Sequence, residues 1–165
     1  MSDCRVPSMD QTPLHSQSQR HTQDLAEEFA IQLQPGDVVA LVGDLGAGKT
    51  EFVRGVCRHF QVQDIVTSPT FAIINHYDGQ LAGGSPVTIY HVDLYRIDTP
   101  EQLRSVGFEE MVHAPNAIKF IEWPEKASHE MPERHWTVTL RNDASDDNAR
   151  LIEITAPERQ MITDY

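Results

Sequence analysis

Gly43-Asp44-Leu45-Gly46-Ala47-Gly48-Lys49-Thr50 is the stretch from which the fold of this chain can be predicted. It matches the phosphate-loop pattern G-x-x-x-x-G-K-[ST] at every defined position. An apolar run at residues 37–42 precedes it, which is typical of a strand buried on both faces of a parallel sheet. Apolar residues at helical spacing follow it: Phe52, Val53, Val56 and Phe60. Strand, glycine-rich loop and helix are the context in which this loop binds a nucleotide phosphate.

The residue types in the loop suit a phosphate ligand. Gly43, Gly46 and Gly48 permit backbone angles and close approaches that a side chain would block. The loop amides can then point inward as an anion nest, at the positive end of the following helix. We expect Lys49 to reach the β- and γ-phosphates and the Thr50 hydroxyl to reach a Mg²⁺ ion. A glycine-rich turn without a ligand is the alternative, but it would have no use for Lys-Thr at this spacing.

Composition indicates one globular domain. Of the 165 residues, 39% are hydrophobic and 23% are charged, and a chain of this length can bury a core. The sequence has no apolar run near membrane-spanning length and no signal pattern, which predicts a cytoplasmic protein without a membrane partner. A formal net charge of −12 argues against direct nucleic-acid binding, because phosphate contacts need clustered Lys and Arg. Arg54 and Arg58 are expected to pair with nearby acids such as Glu51, and Cys57 to lie in the core.

The domain organisation predicted from the chain is simple. The fold class is α/β, a P-loop NTPase-like three-layer fold with a central mixed β-sheet in a single domain. Residues 1–19 are polar and predicted to be a disordered leader, residues 20–157 form the P-loop domain, and residues 158–165 are a C-terminal tail. Thr22 is predicted to cap the first helix and is a candidate for a contact on the adenine side.

Patterns after the loop helix predict the remaining elements. Residues 72–77 and 87–92 are predicted to be the strands of a hairpin whose loop begins at Asp78. A capping box at Thr99 begins a helix that stops near Gly107. A mostly apolar strand is predicted for residues 117–123. Residues 135–141 and 150–155 alternate and are predicted to form an exposed antiparallel hairpin.

Two carboxylates end apolar strands downstream of the loop. Asp93 and Glu122 are therefore expected at the carboxyl edge of the sheet, where open α/β sheets bind ligands. We assign Asp93 to Mg²⁺ through a water, and Glu122 to the metal shell or to orienting the attacking water; the sequence leaves open which is nearer the metal. Thr70 is a candidate γ-phosphate sensor, with an ordinary turn threonine as the alternative.

Two histidines and a tryptophan are the remaining candidates for a functional role. His76 and His91 are predicted to be packed or surface histidines, because no further metal ligand stands at the required spacing. Trp123 either shields the site or stacks on a partner, and core packing is the alternative.

Four motifs in register resemble the TsaE (YjeE) family, the P-loop ATPase of bacterial threonylcarbamoyladenosine synthesis on tRNA. The resemblance covers about residues 22–155. The matching pieces are the loop octapeptide with Phe52, Arg54 and Gly55; Ser68-Pro69-Thr70-Phe71; His91-Val92-Asp93-Leu94-Tyr95-Arg96; and Glu122-Trp123-Pro124-Glu125.

The resemblance implies a small ATPase that uses ATP and Mg²⁺. It would assist a complex of TsaD-like and TsaB-like proteins that transfers a threonylcarbamoyl group to adenosine 37 of tRNAs reading ANN codons, and ATP turnover would reset that complex. Carried over, Thr50 and Glu122 are the Mg²⁺ residues, Asp93 is the Walker-B-like acid, and residues 45–50 are the phosphate cradle. The tRNA would be reached only through the partners.

One departure and several rival functions remain open at this point. Glu51 stands where the family usually has Thr or Ser and brings a negative charge near the phosphates. A small-molecule kinase and a nucleotide-gated binding module without hydrolysis are the alternatives, and a GTP switch is disfavoured because Asn-Lys-x-Asp is absent. No arginine is obviously placed as a finger in cis, which predicts slow hydrolysis by the isolated protein.

Overall fold

A seven-stranded mixed sheet forms the centre of the protein. The structure is a computed structural model, and it describes residues 12–157. The elements in chain order are β1 (Leu14–Ser16), α1 (Gln19–Ala30), β2 (Val38–Val42), α2 (Lys49–His59), β3 (Ile74–Gln80), β4 (Pro86–Asp93), α3 (Pro100–Ser105), α4 (Phe108–Val112), β5 (Ala117–Glu122), a 3-10 turn (Pro124–Ala127), β6 (Trp136–Asp143) and β7 (Asp146–Thr155). The strand order is β1-β7-β6-β2-β5-β4-β3.

Parallel pairing at the centre of the sheet sets the position of the loop. β2 lies between β5 and β6 and is parallel to both, and β4 is parallel to β5. Antiparallel pairs complete the two sides, with β3 on β4 and with β7 between β6 and β1. The predicted α/β fold with a central mixed sheet is confirmed.

Two hydrophobic clusters cover the two faces of the sheet, which makes three layers. On one face α1 and α2 pack on the sheet, where Phe29 contacts both Phe52 and Trp136 through its ring. Phe108 and Met111 belong to the cluster on the other face. Cys57 is buried in the first cluster, as predicted, and burial raises the pKa of its thiol to about 12.

The N-terminal boundary was predicted wrongly for residues 14–19. Residues 14–16 form β1, whose Leu14 pairs with Ile152 of β7, and α1 begins at Gln19 with Ser18 as its cap. Thr22 therefore lies inside the helix, and its hydroxyl is 2.7 Å from that of Ser16. Residues 1–11 of the predicted leader and residues 158–165 of the predicted tail lie outside the described residues.

Three further expectations about elements need correction. The β6–β7 hairpin is antiparallel as predicted but is not exposed, because β6 pairs with β2 inside the sheet. Val138 and Leu140 are buried in the cluster that includes α1 and α2. β3 continues through Asp78 to Gln80, because its pairing with β4 extends to Pro86. A short helix, α4, follows Gly107, whose φ of 71° is the left-handed conformation in which glycine commonly ends a helix.

Among residues 12–157, no helix combines the length and the apolar character needed to cross a bilayer.

Candidate functional site

The carboxyl ends of β2, β5 and β4 meet at one edge of the sheet. Leu41 of β2 is the register partner of Glu122 of β5, and Glu122 is the register partner of Asp93 of β4. Neighbouring strands lie about 4.8 Å apart, so the two acids are adjacent. The predicted meeting of Asp93 and Glu122 beside the end of β2 is therefore observed.

Residues 43–48 connect β2 to α2 with glycine in conformations that other residues avoid. Gly46 and Gly48 have φ values of 80° and 100°, in the left-handed region that favours glycine. At Gly43 the constraint is space, since a Cβ there would lie 2.6 Å from the carbonyl oxygen of Leu140. The loop is thus held against β6 on one side and opens onto a cavity on the other.

Lys49 is buried at the start of α2 and turns back over the loop. Its Nζ donates to the carbonyl oxygen of Gly43 at 2.5 Å and lies 3.7 Å from Oε2 of Glu122. The same ammonium sits 5.0 Å from the ring centroid of Trp123, a cation–π contact. Lys49 is thereby aimed at the edge of the sheet where the two acids lie.

Glu122 is 5% exposed and has a partner for each of its oxygens. Oε2 faces Lys49, while Oε1 lies 2.7 Å from Nε2 of His91. His91 is fully buried, so the prediction of a packed histidine holds, but its contact with Glu122 was missed. An ionised carboxylate only accepts hydrogen bonds, so Nε2 is the donor in this contact.

Asp93 is also 5% exposed and is fixed by local contacts. The Thr70 hydroxyl donates to Oδ2 at 3.0 Å, and the backbone N–H of Tyr95 donates to Oδ1 at 3.0 Å. Thr70 in turn lies 2.8 Å from the Ser68 hydroxyl. The segment after α2 is therefore connected to the acid at the end of β4.

A cavity of about 380 Å³ lies in front of the loop, and we call it the loop cavity. Its lining includes Lys49, Thr50, Asp93 and Glu122 from the predicted site. Other lining groups come from three separate parts of the chain: Gln19 and Thr22 of α1, Ser68 and Thr70 of the segment before β3, and Asn148 and Arg150 of β7. Elements far apart in sequence thus enclose one space.

The charge of Glu51 at the loop cavity is compensated. Its carboxylate accepts from Nε2 of Gln23 at 2.7 Å and pairs with Arg54. Arg58 pairs with Asp24 and Glu27 of α1. The expectation that Arg54 and Arg58 pair with nearby acids is therefore confirmed.

Arg150 is one of the lining residues that sequence reasoning missed. It lies on β7, and its Nη2 is 3.4 Å from the carbonyl oxygen of Gly46. An arginine therefore stands beside the loop within the same chain, a placement that the sequence did not indicate. The sequence pattern predicted that Arg150 lies on a strand of alternating residues, but it gave no signal that this strand lies near the loop.

These features define the class of the protein as a single-domain α/β protein with a P-loop NTPase-like fold. The fold is similar to the crystal structure of Bacillus subtilis YdiB, with a TM-score of 0.70. The two chains are 28% identical, and the match covers 90% of this chain and 87% of that chain.

The family follows from sequence comparison. A family model described as threonylcarbamoyl adenosine biosynthesis protein TsaE matches residues 16–152, and the chain belongs to the TsaE family. The tRNA threonylcarbamoyladenosine biosynthesis protein TsaE of Rickettsia conorii is 39% identical over 144 residues, which are 87% of this chain and 77% of that protein. The protein of the same name from Bacillus subtilis is 34% identical over 136 residues, 82% of this chain and 79% of the relative.

Proposed function

We propose that this protein is a Mg²⁺-dependent ATPase that assists the synthesis of threonylcarbamoyladenosine at position 37 of tRNAs reading ANN codons. The observation that carries the proposal is the adjacency of Asp93 and Glu122, both nearly buried, at the loop cavity that Lys49 also lines. Burying two acids beside one another is costly unless cations balance them. A site built in this way suits a ligand that brings a metal.

The residues present fit ATP with Mg²⁺. Gly46 and Gly48 line the loop cavity and carry no side chain that would keep a phosphate away from the loop backbone, as a phosphate cradle requires. Mg²⁺ prefers oxygen ligands and commonly takes one or two from the protein and the rest from phosphates and water. Thr50, Asp93 and Glu122 offer such oxygens. Within residues 12–157, no cluster of three or more His, Cys, Asp or Glu side chains could hold a metal without that help.

The chain's own residues have distinct tasks in this proposal. Lys49 binds the phosphates and balances the charge of Glu122, from which it lies 3.7 Å. Asp93 and Glu122 position the metal or the attacking water, and bound Mg²⁺ would neutralise charge on the phosphates. In this proposal Thr70, which donates a hydrogen bond to Asp93, reports the state of the γ-phosphate to the segment before β3.

The biological role rests on the family and on charge. Membership of TsaE supports work alongside TsaD-like and TsaB-like proteins in the threonylcarbamoyl-transfer complex, with ATP turnover resetting that complex between cycles. A formal net charge of −12 disfavours direct contact with the tRNA phosphates. We therefore expect the tRNA to be reached through the partners, in the cytoplasm.

The experiment compares ATP turnover and tRNA modification for the parent protein and Glu122→Gln, each with and without the two partners. Glu109→Gln is the matched control, because Glu109 is exposed on α4 and does not line the loop cavity. We expect slow parent turnover that rises with partners, a loss of about a hundredfold in Glu122→Gln, and parent behaviour in Glu109→Gln.

Different outcomes would support the rival functions. Full tRNA modification by Glu122→Gln would favour a nucleotide-gated module that needs no hydrolysis. Transfer of the γ-phosphate to a nucleoside or small metabolite would favour a kinase. Parent turnover that is equal with and without partners would contradict the partner-coupled role.

A further inference from the structure

The guanidinium of Arg150 is hydrogen-bonded through Nη1, whereas its opposite edge has no close hydrogen-bond acceptor. Nη1 donates to the carbonyl oxygens of Asp147 at 2.6 Å and Ala149 at 2.8 Å. Nη2 makes only the long 3.4 Å contact to the carbonyl of Gly46. Nε is a buried atom with no hydrogen-bond partner among the described residues. Nε and Nη2 form one edge of the planar fork, and this edge lacks a close acceptor.

The charge of Arg150 is also uncompensated. No carboxylate among residues 12–157 pairs with it. Five other arginines do have acidic partners: Arg20, Arg54, Arg58, Arg104 and Arg141. Arg96 and Arg134 also lack an acidic partner, but both are exposed, so Arg150 is the half-buried arginine of residues 12–157 that has no acid beside it. An unpaired buried donor costs stability, and an anion bound at this edge of the guanidinium would remove that cost.

Arg150 and Lys49 contact different parts of the loop. The Lys49 ammonium donates a hydrogen bond to the carbonyl oxygen of Gly43 and faces Glu122. Arg150 contacts Gly46, and a Cβ built on Gly48 would lie 3.9 Å from its Nε. Both side chains line the loop cavity. Two cations are therefore available to one ligand from two directions.

We infer that Arg150 is a second phosphate-binding cation of the nucleotide site, an inference that rests on the proposed ATP binding. A guanidinium edge matches phosphate oxygens in geometry and makes charge-assisted hydrogen bonds. A phosphate oxygen accepting from Nη2 replaces the long contact to Gly46 with a shorter, charged one. The carbonyl bonds to Nη1 hold the guanidinium at the loop while this exchange occurs.

The test is calorimetric titration of Mg-ATP into the parent, Arg150→Gln and Arg141→Gln. Arg141 is the matched control, since it lies on β6 of the same hairpin, is exposed and pairs with Glu153. We expect Arg150→Gln to bind about tenfold to a hundredfold more weakly and Arg141→Gln to bind like the parent. Equal affinity in all three would overturn the role of Arg150 and leave the proposed function intact, whereas a parent that does not bind would overturn both.

A second measurement, on the parent protein, separates phosphate binding by Arg150 from contact with the adenine and from loss of fold in the variant. Arginine modification by phenylglyoxal is followed by mass spectrometry with Mg-ATP and, separately, with inorganic tripolyphosphate, which has no base. We expect both to protect Arg150 and neither to protect Arg141. Protection by ATP alone would assign Arg150 to the nucleoside and overturn the inference, as would modification at an unchanged rate with both.

Discussion

His91 Nε2 lies 2.7 Å from Glu122 Oε1, and the two side chains belong to neighbouring strands. Side chains two residues apart on a strand share a face, so β4 presents His91 and Asp93 on the same side. His91 contacts Glu122, while Asp93 lines the loop cavity. The strand thus supplies one acid and the group that holds the other acid in place.

Replacing His91 is expected to slow turnover without weakening ATP binding. His91→Leu removes the donor to Glu122 while nearly preserving volume. We expect partner-stimulated turnover to fall about tenfold to a hundredfold, since a lost hydrogen bond to a charged group costs about 1.5–3 kcal/mol. His91→Gln, whose amide can still donate, should retain more activity. Turnover and ATP affinity are measured separately for both.

The control for His91 is His76→Leu, a change at an exposed position of β3. It should leave turnover unchanged. If His91→Leu lowered only the melting temperature and left turnover at the parent rate, His91 would be a packing residue and not a positioning residue.

Close packing of α1 on α2 makes Gly55 sensitive to a single added methyl group. A Cβ at Gly55 would lie 2.1 Å from the carbonyl oxygen of Gln23 and 2.8 Å from the Cβ of Ala26. Ala favours helix by about 1 kcal/mol over Gly, but overpacking against backbone costs more. We expect Gly55→Ala to lower the free energy of unfolding by about 2 kcal/mol, measured by urea denaturation.

Gly83→Ala is the comparison for that substitution, because nothing lies within 4 Å of a Cβ there. Its free energy of unfolding should stay within about 0.5 kcal/mol of the parent value. Equal stabilities for the two variants would show that α1 and α2 are less tightly packed than the contacts indicate.

The contact between Asp143 of β6 and His15 of β1 is expected to depend on pH. Hydrogen bonds from the Ser145 hydroxyl and backbone N–H, with a further one from His15, lower the Asp143 pKa from 3.8 to about 2. Because the folded pKa is the lower one, the stabilisation is complete above about pH 4 and is lost as the pH falls toward 2. The parent should therefore exceed Asp143→Asn in stability at pH 6, and the gap should narrow by pH 2.5. A gap that stayed constant from pH 6 to pH 2.5 would contradict this account.

Sequence predicted those parts of the fold whose signals are local. One continuous stretch, residues 37–60, contains the apolar run, the loop pattern and the helical spacing that predict strand, loop and helix. Acids at the ends of parallel strands lie at the same edge of the sheet, so their meeting could also be predicted. The fold class and the TsaE family were therefore predicted correctly. The tasks of the individual site residues remain predictions.

What sequence missed depends on contacts between distant residues. β1 has three residues, too few for any periodicity, and exists because Leu14 pairs with Ile152. Arg150 and Gly46 are 104 positions apart, and only the position of β7 beside β6 brings them together. The β6–β7 hairpin was expected to be exposed because apolar and polar residues alternate along both of its strands. This alternation does not reveal that β6 pairs with β2.

The central claim is that the loop from Gly43 to Thr50 binds a nucleotide through Lys49, with a metal at the neighbouring acids. Calorimetric titration of ATP into the parent and Lys49→Ala, with and without Mg²⁺, tests it most directly. We predict measurable heat of binding for the parent, with an ATP affinity that rises when Mg²⁺ is present, and little or no heat for Lys49→Ala. The control Lys126→Ala, on the 3-10 turn, should bind ATP like the parent. Absence of binding by the folded parent, or equal ATP affinity in Lys49→Ala, would contradict the claim.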